Sequence, residues 1–175
     1  MARTIETLAA IVGARLKSAG ATLATAESCT GGWVSQAVTA IAGSSDWFDR
    51  GFVVYSNEAK QDMLGVAAAT LARCGAVSEE VAREMARGAI EHSRAHIALA
   101  ITGIAGPSGG TPGKPVGMVC FAWADRQGPL TGRVRVETWS ETRQLSGDRE
   151  SVRRQAVIRA LQGVIERLDA RAARG

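Results

Sequence analysis

Residues 24–33 read ATAESCTGGW: a run of small residues ends in an acid, a hydroxyl, a thiol, a second hydroxyl and two glycines, just before an apolar helical pattern. A strand that turns into a helix through glycine gathers backbone N–H groups and side-chain oxygens at one point. These residues alone permit a phosphate cradle, a helix cap or the seat of a nucleophile.

Working outward, Ile5, Leu8, Val12 and Leu16 repeat at helical spacing and Gly20 stops that helix. ATLATAES (21–28) reads as a buried strand. On the other side, Gly32 to Ile41 is helical with Val34, Val38 and Ile41 on one face, and AGSSDWFDRG (42–51) is a loop into the strand FVVYS (52–56). A helix follows at NEAKQDMLG (57–65), with Asn57 as its cap. The segment 78–95 opens with Ser78 three residues before Val81 and two acids in its first turn, a helix start, and HIALAIT (96–102) is a fully buried strand. This alternation predicts layered α/β/α packing with crossover connections. VGMVCFAWA (116–124) and GRVRVETWS (132–140) flank the turn residues DRQG and read as an antiparallel hairpin, so the sheet is expected to be mixed and mostly parallel. A long helix from about Asp148 to Arg167 then carries Val152, Ala156, Ala160, Val164 and Leu168 inward. With no repeat or linker, residues 1–175 are expected to form a single α/β domain.

Composition narrows the function classes. The 46% hydrophobic content suits a full core, and no stretch approaches the roughly 18 apolar residues of a membrane helix; IALAITGIAG is broken by Thr and Gly. The amino-terminal apolar run LAAIV is too short for a secretory signal, so a cytoplasmic protein is expected. Cys29, Cys74 and Cys120 are odd in number and scattered, with only His92 and His96 to assist, which disfavours disulfides and structural zinc. The net charge of +4 comes from 18 Arg and 3 Lys against 17 acids, interleaved along helices rather than in a basic stripe with aromatics. That balance suits a small anionic ligand better than nucleic acid.

Ser28 stands where the first strand ends, and its hydroxyl can project from the sheet's carboxyl edge while the amides of Cys29, Thr30 and Gly31 point to the same spot, as an oxyanion needs. The bland alternative is that Ser28 or Thr30 simply caps the helix. A serine nucleophile needs a base, and neither histidine is well placed: His92 falls near a helix end and His96 at the amino edge of a strand. Tyr55, the sole tyrosine, ends the second strand, and Lys60 follows one turn into the next helix. In a chain so rich in Arg, a Lys at this place is notable, because an amine gives up its proton when desolvated and a guanidinium does not. The loop TGIAGPSGGTPG (102–113) starts at the same edge, with Thr102 at the strand end. Arg149 lies in the first turn of the last helix, where a cation is disfavoured unless an anion joins it; the alternative is an ion pair with Asp148 or Glu150.

Taken in order, TAESCTGGW, GSSDWF, GFVVYSNEAK, AVSEEV, ITGIAGPSGG, KPVGMV and SGDRESVRRQA resemble the motifs of the CinA carboxy-terminal domain family, over about Ile5 to Leu168. The resemblance implies a stand-alone nicotinamide-nucleotide amidase: hydrolysis of the carboxamide of nicotinamide mononucleotide to nicotinate mononucleotide and ammonia, a step in pyridine nucleotide recycling. It implies catalysis by Ser28, Tyr55 and Lys60, with ligand contacts from Thr30, Thr102, Gly106 and Arg149. The separate pyrophosphatase activity that longer relatives carry on an added domain does not transfer.

Combining both lines, Ser28 is expected to attack the carbonyl after Lys60 or Tyr55 takes its proton, with the Cys29, Thr30 and Gly31 amides holding the oxyanion and no metal or organic cofactor. Whether Lys60 or Tyr55 is the proximal base is open, as is homo-oligomerisation. Two rivals stand beside this reading: Cys29 as nucleophile, and a non-catalytic nucleotide-sensing or interaction module linked to competence or DNA damage.

Overall fold

In the computed structural model, which describes residues 4–175, the chain runs α1 (Ile5–Ala19), β1 (Leu23–Glu27), α2 (Trp33–Thr39), β2 (Phe48–Val53), α3 (Asn57–Leu64), α4 (Ala68–Cys74), α5 (Glu79–Glu91), β3 (Ile97–Gly103), β4 (Met118–Gln127), β5 (Arg135–Gln144) and α6 (Arg149–Arg174). The strands form one sheet in the order β2-β1-β3-β4-β5. β1 is parallel to β2 and β3, and β4 is antiparallel to β3 and β5, so only β4 is reversed. The expected mixed sheet, carboxy-terminal hairpin and long last helix are all present.

The layering follows from an alternation in the strands. Leu23 in β1, Ile97, Leu99 and Ile101 in β3, and Val119, Phe121 and Trp123 in β4 pack with α1, α2 and α6 on one face. The residues between them, Ala24, Ala26, Ala98, Ala100, Cys120, Ala122 and Ala124, pack with α3 and α5 on the other. Successive strand residues point to opposite faces, so the small side chains let α5 lie close to the sheet through Ala82, Ala86 and Ala89. The bulky face supplies more of the stability, at about 1.5–3 kcal/mol for each fully buried large side chain.

Several boundaries differ from expectation. β2 starts at Phe48 and ends at Val53, so Asp49, Arg50 and Gly51 are in the strand and Tyr55 lies beyond it. As an edge strand paired only with β1, β2 tolerates polar residues that a central strand excludes. The cap of α3 is Ser56, whose hydroxyl accepts from the Ala59 amide, and Asn57 is the first helical residue. The hairpin strands extend through the turn residues Asp125, Arg126 and Gln127, and α6 continues past Arg167 to Arg174. The short α4 spans only seven residues, has no side-chain cap and buries only Thr70, so it leaves no helical stripe in the sequence. Gly20 and Ser78 act as expected, the first left-handed at the end of α1 and the second accepting from the Val81 amide. Among the described residues no helix is long and apolar enough to cross a membrane.

Candidate active site

The chain leaves β1 toward α2 on one face of the sheet and leaves β2 toward α3 on the other. Where successive connections diverge in this way, the carboxyl ends of the strands open into a crevice. Ser28 follows β1 directly, and its amide still donates to Ile101 O at 3.0 Å, so the ladder with β3 holds it. Lys60 reaches the same point from the first turn of α3. Its Nζ donates to Ser28 Oγ at 3.1 Å, to Tyr55 O at 3.1 Å and to Ser56 O at 3.5 Å. Lys60 is only 1% exposed, and burial pushes its amine below the ordinary lysine range. A buried amine in contact with a serine hydroxyl is the arrangement that lets one act as base toward the other.

The turn from Ser28 to Gly32 runs through Gly31 and Gly32 at φ +61° and +98°, left-handed values that favour glycine. The Gly31 amide, expected to face an oxyanion, donates instead to Ser28 O at 3.1 Å. No acceptor is bonded to the Cys29 or Thr30 amide among the described residues. The N-cap of α2 is Gly32, neither Ser28 nor Thr30, and its first amides are met by a side chain that sequence reasoning passed over. Glu27 is fully buried, and its carboxylate accepts from Thr30 Oγ1 (2.8 Å), Val34 N (2.8 Å), Ser35 N (3.0 Å) and Ser35 Oγ (3.0 Å). The helix start is therefore occupied by the chain's own carboxylate and offers no phosphate cradle. Thr30, expected to touch ligand, is fully buried with its hydroxyl on Glu27.

Cys29 belongs to the core cluster that includes Val34, Ala105 and Val152. Burial pushes its thiol up to about 11, the opposite of what an activated thiolate requires. Of the adjacent pair, it is the Ser28 hydroxyl that contacts the buried Lys60 amine.

Two adjoining clefts share Cys29, Tyr55 and Gly103 as lining. The first, about 220 Å³, holds Ser28, Lys60, Asn57 and Thr102. Thr102 is almost fully buried, and its hydroxyl donates to Ala76 O at 2.9 Å, tying the α4–α5 loop to the end of β3. The second cleft, about 290 Å³, is lined by Gly106, Ser108, Gly109 and Arg149. Arg149 donates to Gly106 O at 2.8 Å and to the Tyr55 phenol oxygen at 3.3 Å. The expected alternative partners are engaged elsewhere: Glu150 pairs with Arg154 at 3.1 Å, and Asp148 caps α6 by accepting from the Ser151 amide at 2.8 Å.

Tyr55 spans both clefts in an unexpected way. Its main-chain oxygen, not its phenol, meets Ser28 and Lys60, while its 62% exposed side chain reaches toward Arg149. The histidines stand apart, His92 Nδ1 against Gly88 O and His96 Nδ1 against Thr22 at the opposite edge of the sheet. A larger depression of about 420 Å³ between α1 and the end of α6 has its one carboxylate, Asp169, paired to Arg15. It sets no nucleophile beside a base. Sequence reasoning also missed Arg153, whose Nε donates to Cys29 O at 3.0 Å and Nη2 to Thr30 O at 3.2 Å. The available signal was its spacing of four from Arg149, which puts both on one helix face.

The model of the CinA C-terminal domain family matches residues 5–168. The chain is 58% identical over 151 residues to the nicotinamide-nucleotide amidohydrolase PncC of Escherichia coli strain K12, covering 86% of this chain and 87% of that one. It is 51% identical over 159 residues to a CinA-like protein of Syntrophobacter fumaroxidans, covering 91% of this chain but 35% of that longer protein. The crystal structure of the competence/damage inducible protein CihA from Agrobacterium tumefaciens superposes with a TM-score of 0.83 at 44% identity, covering 97% and 99% of the two chains.

Proposed function

This chain belongs to the CinA C-terminal domain family, and from that premise we propose that it is an amidohydrolase converting nicotinamide mononucleotide to nicotinate mononucleotide and ammonia. The observation that carries the reading is the 3.1 Å contact between the buried Lys60 amine and Ser28 Oγ, inside a cleft adjoining an arginine-lined one. Neutral Lys60 takes the Ser28 proton as Oγ bonds to the carboxamide carbon. The oxyanion that forms lies against the amide of Cys29, which lines both clefts and has no acceptor of its own among the described residues. The C–N bond then breaks, the leaving nitrogen takes the proton back from Lys60, and ammonia departs. Water adds to the resulting ester with Lys60 again accepting a proton, and nicotinate mononucleotide leaves as Ser28 is restored. Tyr55 serves through two atoms: its carbonyl orients the Lys60 amine, and its phenol steadies Arg149 for the nucleotide phosphate.

The nucleotide-sensing alternative explains less. A buried lysine beside a serine, with no carboxylate partner among the described residues, is a cost in stability that a sensor does not require. The test is ammonia release from nicotinamide mononucleotide by the purified chain with chelator present. Release is expected, with free nicotinamide a much poorer substrate, and Ser28→Ala should abolish turnover while melting like the parent. Release that requires added metal, or that survives in Ser28→Ala, would overturn the reading.

A further inference from the structure

We infer that the ring of Tyr55 seats the cationic pyridinium of the nucleotide and so selects a charged ring over a neutral one, an inference that rests on the amidohydrolase reading above. The substrate of that reading has three parts in line: a carboxamide, an aromatic ring with a positive charge at the nitrogen bonded to ribose, and a phosphate. Ser28 sets the place of the carboxamide and Arg149 that of the phosphate. Tyr55 is tied to both places. Ser28 Oγ and Lys60 Nζ donate to its main-chain oxygen at 3.4 Å and 3.1 Å, and Arg149 donates to its phenol oxygen at 3.3 Å. Its ring therefore lies along the path from one to the other, and among the described residues it is the only aromatic lining either cleft.

The surroundings of that ring suit a cation. Neither cleft has a carboxylate among its described lining residues, so a positive ring meets no anionic side chain there. Elsewhere the chain seats its own cations on aromatic rings: Arg153 and Arg154 lie 5.5 Å and 5.2 Å from the centre of the Trp33 ring, Arg159 lies 5.1 Å from that of Trp123 and Arg167 lies 4.5 Å from that of Trp139. Tyr55 differs. Arg149 meets it at the hydroxyl, no cation of the described residues lies over its ring, and the residue is largely exposed. An aromatic face is negative at its centre and attracts a cation that comes to rest on it, and a flat pyridinium adds stacked apolar area.

The test measures affinity in a Ser28→Ala background, where turnover does not consume the ligand and the pull of the pyridinium on the carbonyl does not enter. The ligands are nicotinamide mononucleotide and its neutral isostere, in which a benzamide ring is joined to the ribose phosphate through carbon. They share shape, carboxamide and phosphate and differ in ring charge. The Ser28→Ala chain should bind the cationic ligand roughly 5- to 30-fold more tightly than the isostere. Adding Tyr55→Phe, which keeps the ring, should leave that ratio within about twofold. Adding Tyr55→Leu should abolish it, and any weakening through the lost contact with Arg149 falls on both ligands and cancels. Equal affinities in the Ser28→Ala chain, a ratio that survives Tyr55→Leu, or one that collapses in Tyr55→Phe would overturn the inference. If the Tyr55→Leu chain fails to fold, the ratios in Ser28→Ala and with Tyr55→Phe still decide. A parent chain releasing no ammonia removes the amidohydrolase reading and this inference together, whereas an active parent with the wrong ratios removes the inference alone.

Discussion

The cations of the cleft and those on the β5–α6 face are handled in opposite ways. Arg159 lies between two carboxylates, donating to Glu141 at 3.1 Å and Glu166 at 2.8 Å, and these bonds raise its pKa further above the working range. Glu141 also takes Arg143 at 2.9 Å; burial pushes its carboxyl up but the arginine bonds outweigh that, leaving it at about 2. At the cleft, Lys60 and Arg149 bond only to hydroxyl and carbonyl oxygens among the described residues. Charges on the far face are matched and stabilise the fold. Those at the cleft have no carboxylate partner among the described residues, which is what the proposed mechanism asks of an amine that gives up a proton and a guanidinium that takes an anion.

The sharpest way to break this contrast is Lys60→Arg, which keeps the charge but removes a proton that can leave. Under the proposed mechanism kcat should fall about 10²-fold or more, with substrate affinity near the parent value in a binding measurement. Near-parental single-turnover acylation would take Lys60 out of the proton path. The companion variant Lys60→Met tests the cost of the arrangement. Because burial lowers the Lys60 pKa, the unfolded chain binds the extra proton. The penalty is therefore full below the folded pKa and is relieved as pH rises through it toward the ordinary lysine value. Lys60→Met should melt higher than the parent near neutral pH, with the gap closing in alkali.

Arg149→Ala comes next in size. Losing a charge-assisted contact to phosphate should raise KM for the mononucleotide roughly tenfold or more with a smaller effect on kcat. The dephosphorylated nucleoside should not distinguish variant from parent. Equal losses with both substrates would make Arg149 only a strut for Gly106 and Tyr55.

The smallest effect is expected on the matched side. Glu141→Gln should leave turnover unchanged and cost about 1–2 kcal/mol near neutral pH, read by urea unfolding. Since the folded carboxyl sits at about 2, below its unfolded value, its contribution is present above the ordinary carboxylate range and is lost as pH falls through about 2. The parent and Glu141→Gln curves should converge over that interval. A gap that persists in acid would assign the loss to packing instead.

What was legible in sequence follows the same division. Ser28 and Lys60 could be paired because each follows a strand directly or by one turn, and parallel neighbours bring such ends together. Glu27 was not legible: it sits among small residues, and only the turn through Gly31 and Gly32 brings Thr30, Val34 and Ser35 round to its carboxylate. Arg153 looks like the other arginines of α6 until its partners prove to be carbonyls more than a hundred residues earlier. The Tyr55 position was readable but its direction was not, since β2 ends before it and sends the main chain, not the ring, toward Ser28. The layers were readable from alternation of elements. The finer alternation of bulky residues and alanine, which decides which helices cover which face, becomes legible once the strand limits are known.

The placement of α6 also has a consequence for how the protein is made. Ser28 and Lys60 leave the ribosome early, but Arg149 and Arg153 belong to the last element, which also joins α1 and α2 in covering the bulky face of the sheet. A nascent chain stopped before Asp148 holds Ser28 and Lys60 without either guanidinium, and leaves Leu8, Val12 and Phe121 lacking the helix that covers them. Topology thus delays completion of the cleft to the last element: a truncated product lacks the guanidiniums that bond Cys29, Thr30 and Gly106, and its uncovered apolar face is prone to aggregation.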